Sequence, residues 1–176
     1  GALPRRDPAE AVEFPPDAAA ADPARPVPQF VKGRLLYEEA NYTDAAAAFR
    51  DAVAETPEGA VPIPDLHLYL GESLAHLDRY AEAEAQYRLE LRAFPRNVQA
   101  YASLAMLYRA SNRDDAVEDV LNELVSGTPT PEGYAVAARL WTILGDRSRA
   151  EALRSDAQAR FRGDPQPALL GQGARR

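Results

Sequence analysis

The sequence of 176 residues contains no cysteine, two histidines and a single lysine, Lys32. Without cysteine there is no disulfide framework, no thiol nucleophile and no cysteine-ligated zinc or iron–sulfur site. The two histidines, His67 and His76, stand nine positions apart, which matches no metal-ligand spacing such as the i, i+4 pair of zinc proteases. We therefore expect no catalytic residues, no bound metal, no cofactor and no enzymatic activity.

Long apolar runs are also missing. None approaches the roughly 18 to 20 residues of a membrane-spanning helix, and the first residues lack the apolar core of a signal peptide. The net charge of −7 argues against binding along nucleic acid, which requires clustered Lys and Arg. Because the chain begins at Gly1 without methionine, we expect a processed form or a piece of a longer protein. A bacterial source is expected, with an exported, periplasmic location favoured over the cytoplasm.

Proline and glycine are concentrated at the two ends of the chain. Residues 1–28 hold seven of the fifteen prolines among Ala, Asp and Glu, which is typical of an extended arm or linker. Residues 164–176 are expected to form an irregular tail. Phe14 is the only aromatic residue of the arm and is its candidate anchor if the arm docks on this chain or on a neighbouring copy. A linker that contacts nothing is the alternative.

Between these ends the sequence repeats itself. A small residue is followed about twelve positions later by an alanine, in the pairs Gly33 and Ala45, Gly71 and Ala83, Ala105 and Ala116, Ala138 and Ala150. The second members are 38, 33 and 34 residues apart, and a period near 34 is typical of helix–turn–helix solenoids. The longer interval indicates an insertion, which we place at Ala60–Ile63, where Pro62 and Pro64 interrupt the pattern.

The register predicts an all-α fold over residues 29–163, in units at about 26–59, 64–97, 98–130 and 131–164. The second unit shows it best, with Leu70, Gly71, Tyr80, Ala83, Tyr87 and Pro95. This pattern resembles the tetratricopeptide repeat (TPR) family. The resemblance implies a right-handed solenoid of about eight helices that acts as a scaffold or adaptor for a protein or peptide partner.

The packing expected from this register is specific. Gly71 should face Ala83 at the helix crossing, with Tyr87 filling the space beside them. The third unit should have a turn that is one residue short before Ala116. Asn97 and Asp78 stand near helix starts, where their side chains could cap free amides. The last helix has a narrow apolar stripe, typical of the polar end of a solenoid.

The resemblance also implies a binding surface, because first helices line the concave face in family members. Carried over residue by residue, the candidate groove consists of Arg34, Tyr37, Glu38, Tyr69, Glu72, His76, Ser103, Met106, Arg109, Arg139 and Thr142. Such a mixture suits an extended peptide or a helix. The alternative is that these residues are simply the exposed faces of amphipathic helices. In chaperone-binding TPR domains, a set of lysine, asparagine and arginine side chains grips a C-terminal carboxylate. The corresponding positions here are Phe30, Arg34, Tyr69, Gln99 and Ser103, so we do not expect such a carboxylate clamp.

Two other classes of function stay open. From Pro131 onward eight arginines face five acidic residues, so an acidic front and a basic end could dock head to tail in a homo-oligomer. A basic last helix also simply complements the helix dipole. The alternatives to an adaptor are therefore a self-assembling structural subunit and an accessory subunit or fragment of a larger multidomain enzyme.

Overall fold

The computed structural model describes residues 28–162. Within this range the chain forms eight α-helices and no strand. They are α1 (Pro28–Glu38), α2 (Tyr42–Glu55), α3 (Leu66–His76), α4 (Tyr80–Ala93), α5 (Val98–Ala110), α6 (Asp114–Gly127), α7 (Pro131–Ile143) and α8 (Arg147–Arg160). The all-α fold is confirmed. The predictions for the proline-rich arm, with Phe14, and for the C-terminal tail lie outside the described residues.

The helices pack as four antiparallel pairs, and each pair stacks on the next. We call each pair a unit, α1, α3, α5 and α7 the first helices, and α2, α4, α6 and α8 the second helices. The turn inside every unit has three residues. The connections between units differ in length, with ten residues at 56–65, four at 94–97 and three at 128–130. The predicted insertion at Ala60–Ile63 falls inside the longest of them.

The turn inside each unit contains one residue in the left-handed backbone region. These residues are Ala40 (φ 57°), Asp78 (φ 59°), Asn112 (φ 55°) and Gly145 (φ 91°). Each lies seven positions after the small residue of its unit, and the amide that follows it bonds back to the end of the first helix. The amide of Asn41, for example, donates to the carbonyl of Leu36 (2.9 Å). This bonding satisfies carbonyls that a helix end leaves unpaired.

We expect Gly145→Ala to lower the free energy of unfolding by about 1 kcal/mol, because an L side chain is unfavourable at positive φ. A Cβ added at Gly145 would meet no atom within 4 Å, so the loss would come from the backbone alone. The reverse change, Ala40→Gly, should raise stability at the matching position of the first unit. Urea unfolding measures both, and a neutral Gly145→Ala would contradict this explanation.

The capping prediction is half right. The side chain of Asn97 accepts a hydrogen bond from the amide of Ala100 (3.2 Å). Asp78 does not cap a helix, because it occupies the left-handed turn position and its carboxylate accepts from the hydroxyl of Tyr80 (2.9 Å). The N-cap residue of α4 is Arg79, whose side chain makes no capping bond.

The predicted register of the third unit is wrong by one residue. Val117, not Ala116, is the fourth residue of α6 and is 2% exposed. The fourth residues of the other second helices are alanines, so the sequence pattern favoured alanine here too. Valine fits because the eighth residue of α6 is Leu121, where α2 and α4 have Phe49 and Tyr87. The larger residue at one position is offset by a smaller one at the other, which conserves volume.

Gly33 of α1 and Gly71 of α3 make room for aromatic rings. A Cβ added to Gly33 would lie 2.6 Å from the ring of Phe49, and one added to Gly71 would lie 2.6 Å from the ring of Tyr87. Both rings are buried. The ring of Tyr87, rather than the predicted Ala83, is therefore what requires glycine at position 71.

A buried carboxylate fixes the start of α3. Glu90 of α4 is 0% exposed, and it accepts from the amides of Asp65 (3.0 Å) and Leu68 (3.3 Å) and from the side-chain amide of Asn97 (3.0 Å). Asp65 occupies the N-cap position of α3 but makes no capping bond with its own side chain. Glu90 therefore caps α3 from the neighbouring helix. No pattern along the chain indicated this contact.

Candidate interaction surface

The first helices line the inner side of the stacked units. Each first helix contacts the first helix of the next unit, α1 with α3, α3 with α5 and α5 with α7. Within residues 28–162 the backbone of no second helix comes equally close to that of another second helix. Elements that stay close together lie on the inside of a bend, so the stack is concave on the side of the first helices. All eleven predicted groove residues lie on these helices.

Three predicted groove residues form one hydrogen-bonded chain across the concave face. The carboxylate of Glu72 on α3 accepts from the hydroxyl of Tyr37 on α1 (2.9 Å) and from the hydroxyl of Ser103 on α5 (3.0 Å). Burial, followed by the negative charge of Glu72, raises the pKa of Tyr37 above its ordinary value. The tyrosine therefore stays a hydrogen-bond donor well into alkaline pH. The chain links three successive units through their side chains.

Aromatic rings pack around this chain between the first two units. The ring of Tyr37 lies edge-on to those of Tyr69 (5.4 Å between centroids) and Tyr42 (5.5 Å). His76 stacks flat on Tyr42 at 3.9 Å, and the guanidinium of Arg34 lies 4.8 Å from the ring centroid of Tyr69. Arg34 also pairs with Glu38 one turn along α1 (3.7 Å). This half of the face is therefore held in place by its own contacts.

In the half formed by α5 and α7, the groove side chains make fewer contacts with one another. Met106 is 44% exposed, and Arg139 is exposed with no carboxylate of the described residues within ion-pair distance. Arg109 is turned toward the start of α6, where it pairs with Asp114 (2.8 Å). Thr142 accepts from the guanidinium of Arg154 (2.9 Å). Met106 and Arg139 are thus the predicted residues of this half that are open to a partner.

Three residues of this surface were not among the predicted groove residues. Ile143 is 61% exposed on α7, and its position four residues after Arg139 places both on one helix face. That spacing was a usable signal. Phe30 packs between Phe49 (5.9 Å) and Tyr69 (6.3 Å). Tyr42 belongs to a second helix, so nothing in the repeat pattern pointed to the concave side.

The second helices are joined on the outer side by ion pairs. Arg50 of α2 pairs with Glu82 of α4 (3.1 Å), Arg88 of α4 with Glu123 of α6, and Arg149 of α8 with Glu118 of α6 (2.9 Å). These side chains are largely exposed. Glu84 of α4 accepts from the hydroxyl of Tyr108 (2.8 Å) and pairs with Arg113. Long side chains therefore span the gap between the second helices.

The histidines are explained by local contacts. Nδ1 of His67 lies 2.8 Å from Oε1 of Gln86, and His76 belongs to the aromatic packing described above. Within the described residues no group of three or more His, Asp or Glu side chains is placed to hold a metal ion. In the same range no helix is long and apolar enough to cross a membrane.

Comparison with protein families gives a match over the first two units. Residues 30–98 match the family model described as tetratricopeptide repeat. Over this segment the chain is similar to the TPR family. The matched range covers the glycine–aromatic packing of Gly33 and Gly71 and most of the aromatic half of the concave face. No curated protein matches the chain.

Solved structures extend the TPR likeness to the whole stack. A thermophilic TPR protein of Thermus thermophilus is 19% identical with a TM-score of 0.58, covering 88% of this chain and 80% of its own. MamA is 15% identical with a TM-score of 0.57, covering 76% and 77%. PilW, a type IV pilus biogenesis factor, is 20% identical with a TM-score of 0.56, covering 78% and 63%. At these identities the likeness establishes the fold, which is a TPR solenoid.

Proposed function

We propose that this protein is a non-catalytic scaffold that holds an extended segment of a partner protein along its concave face. TPR domains commonly serve as protein-interaction scaffolds. The observation that carries the proposal is that Met106 and Ile143, 44% and 61% exposed, lie on the concave helices, as does the exposed Arg139. Methionine and arginine are enriched at protein interfaces, and an exposed isoleucine beside them adds apolar surface that binding would bury.

The two halves of the face would contribute differently. The half around Tyr37 and Glu72 is held by its own hydrogen bonds and ring contacts, so little side-chain entropy is lost when a ligand binds there. Each carboxylate oxygen of Glu72 accepts one hydrogen bond and has capacity for another. Glu72 would therefore take a backbone amide or a cationic side chain of the peptide.

The half formed by α5 and α7 would bind different chemistry. Met106 and Ile143 offer apolar surface, and Arg139 offers a guanidinium to a carboxylate. The partner segment that fits best is extended, with amide or cationic donors at one end. At its other end it carries an apolar residue beside an acidic one. Such a segment would run across the first helices rather than along any one of them.

Peptide selection on the full chain tests this proposal. Peptides chosen from a random displayed library should bind Met106→Glu and Ile143→Glu at least about 10-fold more weakly than the unmodified protein, a loss of roughly 1.4 kcal/mol. Leu89→Glu on α4 and Val61→Glu in the 56–65 connection are matched controls, because both leucine and valine are exposed there. Binding unaffected by the concave changes, or weakened equally by the controls, would place the binding site elsewhere.

A further inference from the structure

Three positions of a first helix are buried wherever another unit precedes it. They are Leu66, Leu70 and Ser73 in α3, Ala100, Leu104 and Leu107 in α5, and Gly133, Ala137 and Leu140 in α7. Each set keeps the same offset from the small residue of its unit and lies on one helix face. Since α3, α5 and α7 each pack on the second helix before them, this is the face that the preceding unit covers.

The same face of α1 is open within the described residues. The equivalent residues are Pro28, Lys32 and Leu35, and all three are exposed. Leu35 is 59% exposed and Val31, beside it, is 41% exposed. We call Pro28, Val31, Lys32 and Leu35 the open face of α1. Leu35 is therefore exposed at a position that is buried in every later unit, and Val31 is exposed at a position that is partly buried in every later unit.

The opposite end of the stack differs. At one position of the second helices, the first three units carry Val53, Leu91 and Val125, each partly or fully buried, whereas α8 carries the exposed Gln158. A polar residue at this position lets α8 end the described stack in water. On the open face of α1, only Lys32 is a charged or polar side chain. The contrast indicates that the open face has a cover of its own.

We propose that residues 1–27 cover the open face of α1, with Val12 and Phe14 packed on Val31 and Leu35. This segment joins α1 at Pro28, the first residue of the face. Pro28 lies fourteen positions after Phe14, a distance of up to about 43 Å at roughly 3.1 Å per residue. The open face extends only about 10 Å along α1, so Phe14 reaches it easily.

Charge selects this segment over a second copy of the chain. Lys32 lies in the middle of the open face and needs a carboxylate in whatever covers it. Residues 1–27 carry five acidic residues against three arginines, and Glu13 is adjacent to Phe14. The outer helix of a second copy, α8, carries four arginines against two acidic residues. Stacking α8 on the open face would bring like charges together.

The cover is not a missing second helix. Pro15 and Pro16 lie in the middle of the segment, and proline interrupts the hydrogen bonding of a continuous helix. The bound segment therefore acts as a strap held by a few side chains. Because it is tethered beside its site, its effective concentration is high and weak contacts suffice.

The absence of cysteine allows a direct test by thiol reactivity. Leu35→Cys reports on the open face, and Ile143→Cys is the matched control, because Leu35 and Ile143 are 59% and 61% exposed in the described part of the chain. In the full chain, a thiol-specific reagent should modify Leu35→Cys about 10-fold more slowly than Ile143→Cys. Adding Val12→Ser and Phe14→Ser should make the two rates equal. The protection should not change with protein concentration.

Three outcomes would overturn the proposal. The first is equal reactivity of the two cysteines in the full chain, and the second is protection that survives Val12→Ser and Phe14→Ser. The third is protection that grows with protein concentration, which would assign the face to a second copy.

Hydrogen exchange gives an independent measurement that leaves α1 unaltered. Amides of α1 should exchange faster in the protein carrying Val12→Ser and Phe14→Ser than in the unmodified protein, with α7 unchanged. Equal exchange of α1 in the two proteins would also overturn the proposal.

Discussion

Replacing Glu90 with alanine is expected to lower the free energy of unfolding by about 2–4 kcal/mol. The carboxylate of Glu90 is fully buried and accepts from the amides of Asp65 and Leu68. Alanine would leave both donors without a partner and open a cavity beside Asn97. Urea unfolding followed by circular dichroism measures the loss. Because the two amides begin α3, the start of this helix should also lose protection from hydrogen exchange.

Two further variants show whether capping is the cause. Glu90→Gln keeps one carbonyl oxygen as an acceptor, so it should lose less stability than Glu90→Ala. Glu82→Ala removes an exposed carboxylate from the same helix, where it pairs with Arg79 and Arg50, and the loss should be much smaller because exposed pairs contribute little. Similar losses for Glu82→Ala and Glu90→Ala would disprove the role assigned to Glu90.

The second large effect is expected from Ala83→Leu, which should lower stability by about 1–3 kcal/mol. Ala83 is 0% exposed where α4 crosses α3, and Tyr87, one turn later, already fills the space against Gly71. Three additional carbons cannot be accommodated unless the two helices move apart. Urea unfolding is again the measurement.

Ala85→Leu is the matched control for Ala83→Leu. It makes the same chemical change two positions along the same helix, where the side chain is exposed. Glu84 would be a poor control, because it accepts from Tyr108 and pairs with Arg113. If Ala83→Leu and Ala85→Leu had the same small effect, the register of the second unit would be wrong.

The repeat was predictable because its strongest constraints are local. Gly33 and Gly71 stand at fixed distances from Phe49 and Tyr87, so the pattern is visible along the chain. Val117 was not predicted because packing fixes the combined volume of the fourth and eighth residues of a second helix and does not require alanine at the fourth. Glu90 was not predicted for another reason: the amides it caps lie 25 and 22 residues earlier, at the end of the 56–65 connection and in the first turn of α3. No spacing rule connects it to them.

The candidate groove was also predictable only in part. The repeat register placed Tyr37, Glu72 and Ser103 on one side of the stack, and all three lie there. Their hydrogen bonding could not be read from the register, because it depends on side-chain direction across three units. The partner's identity was not predictable either. Exposed side chains such as Met106 and Ile143 show which chemistry can bind, and a scaffold contains no substrate geometry that would narrow it further.

The outer ion pairs also determine how the stack can bend. The concave edge is joined by direct helix contacts and by the chain through Glu72, whereas successive second helices are joined by ion pairs between partly exposed side chains. Stretching the convex edge therefore breaks ion pairs that salt already screens. The stack should be stiff along its inner edge and compliant along its outer edge. The width of the groove would then vary with ionic strength, at a small cost in free energy.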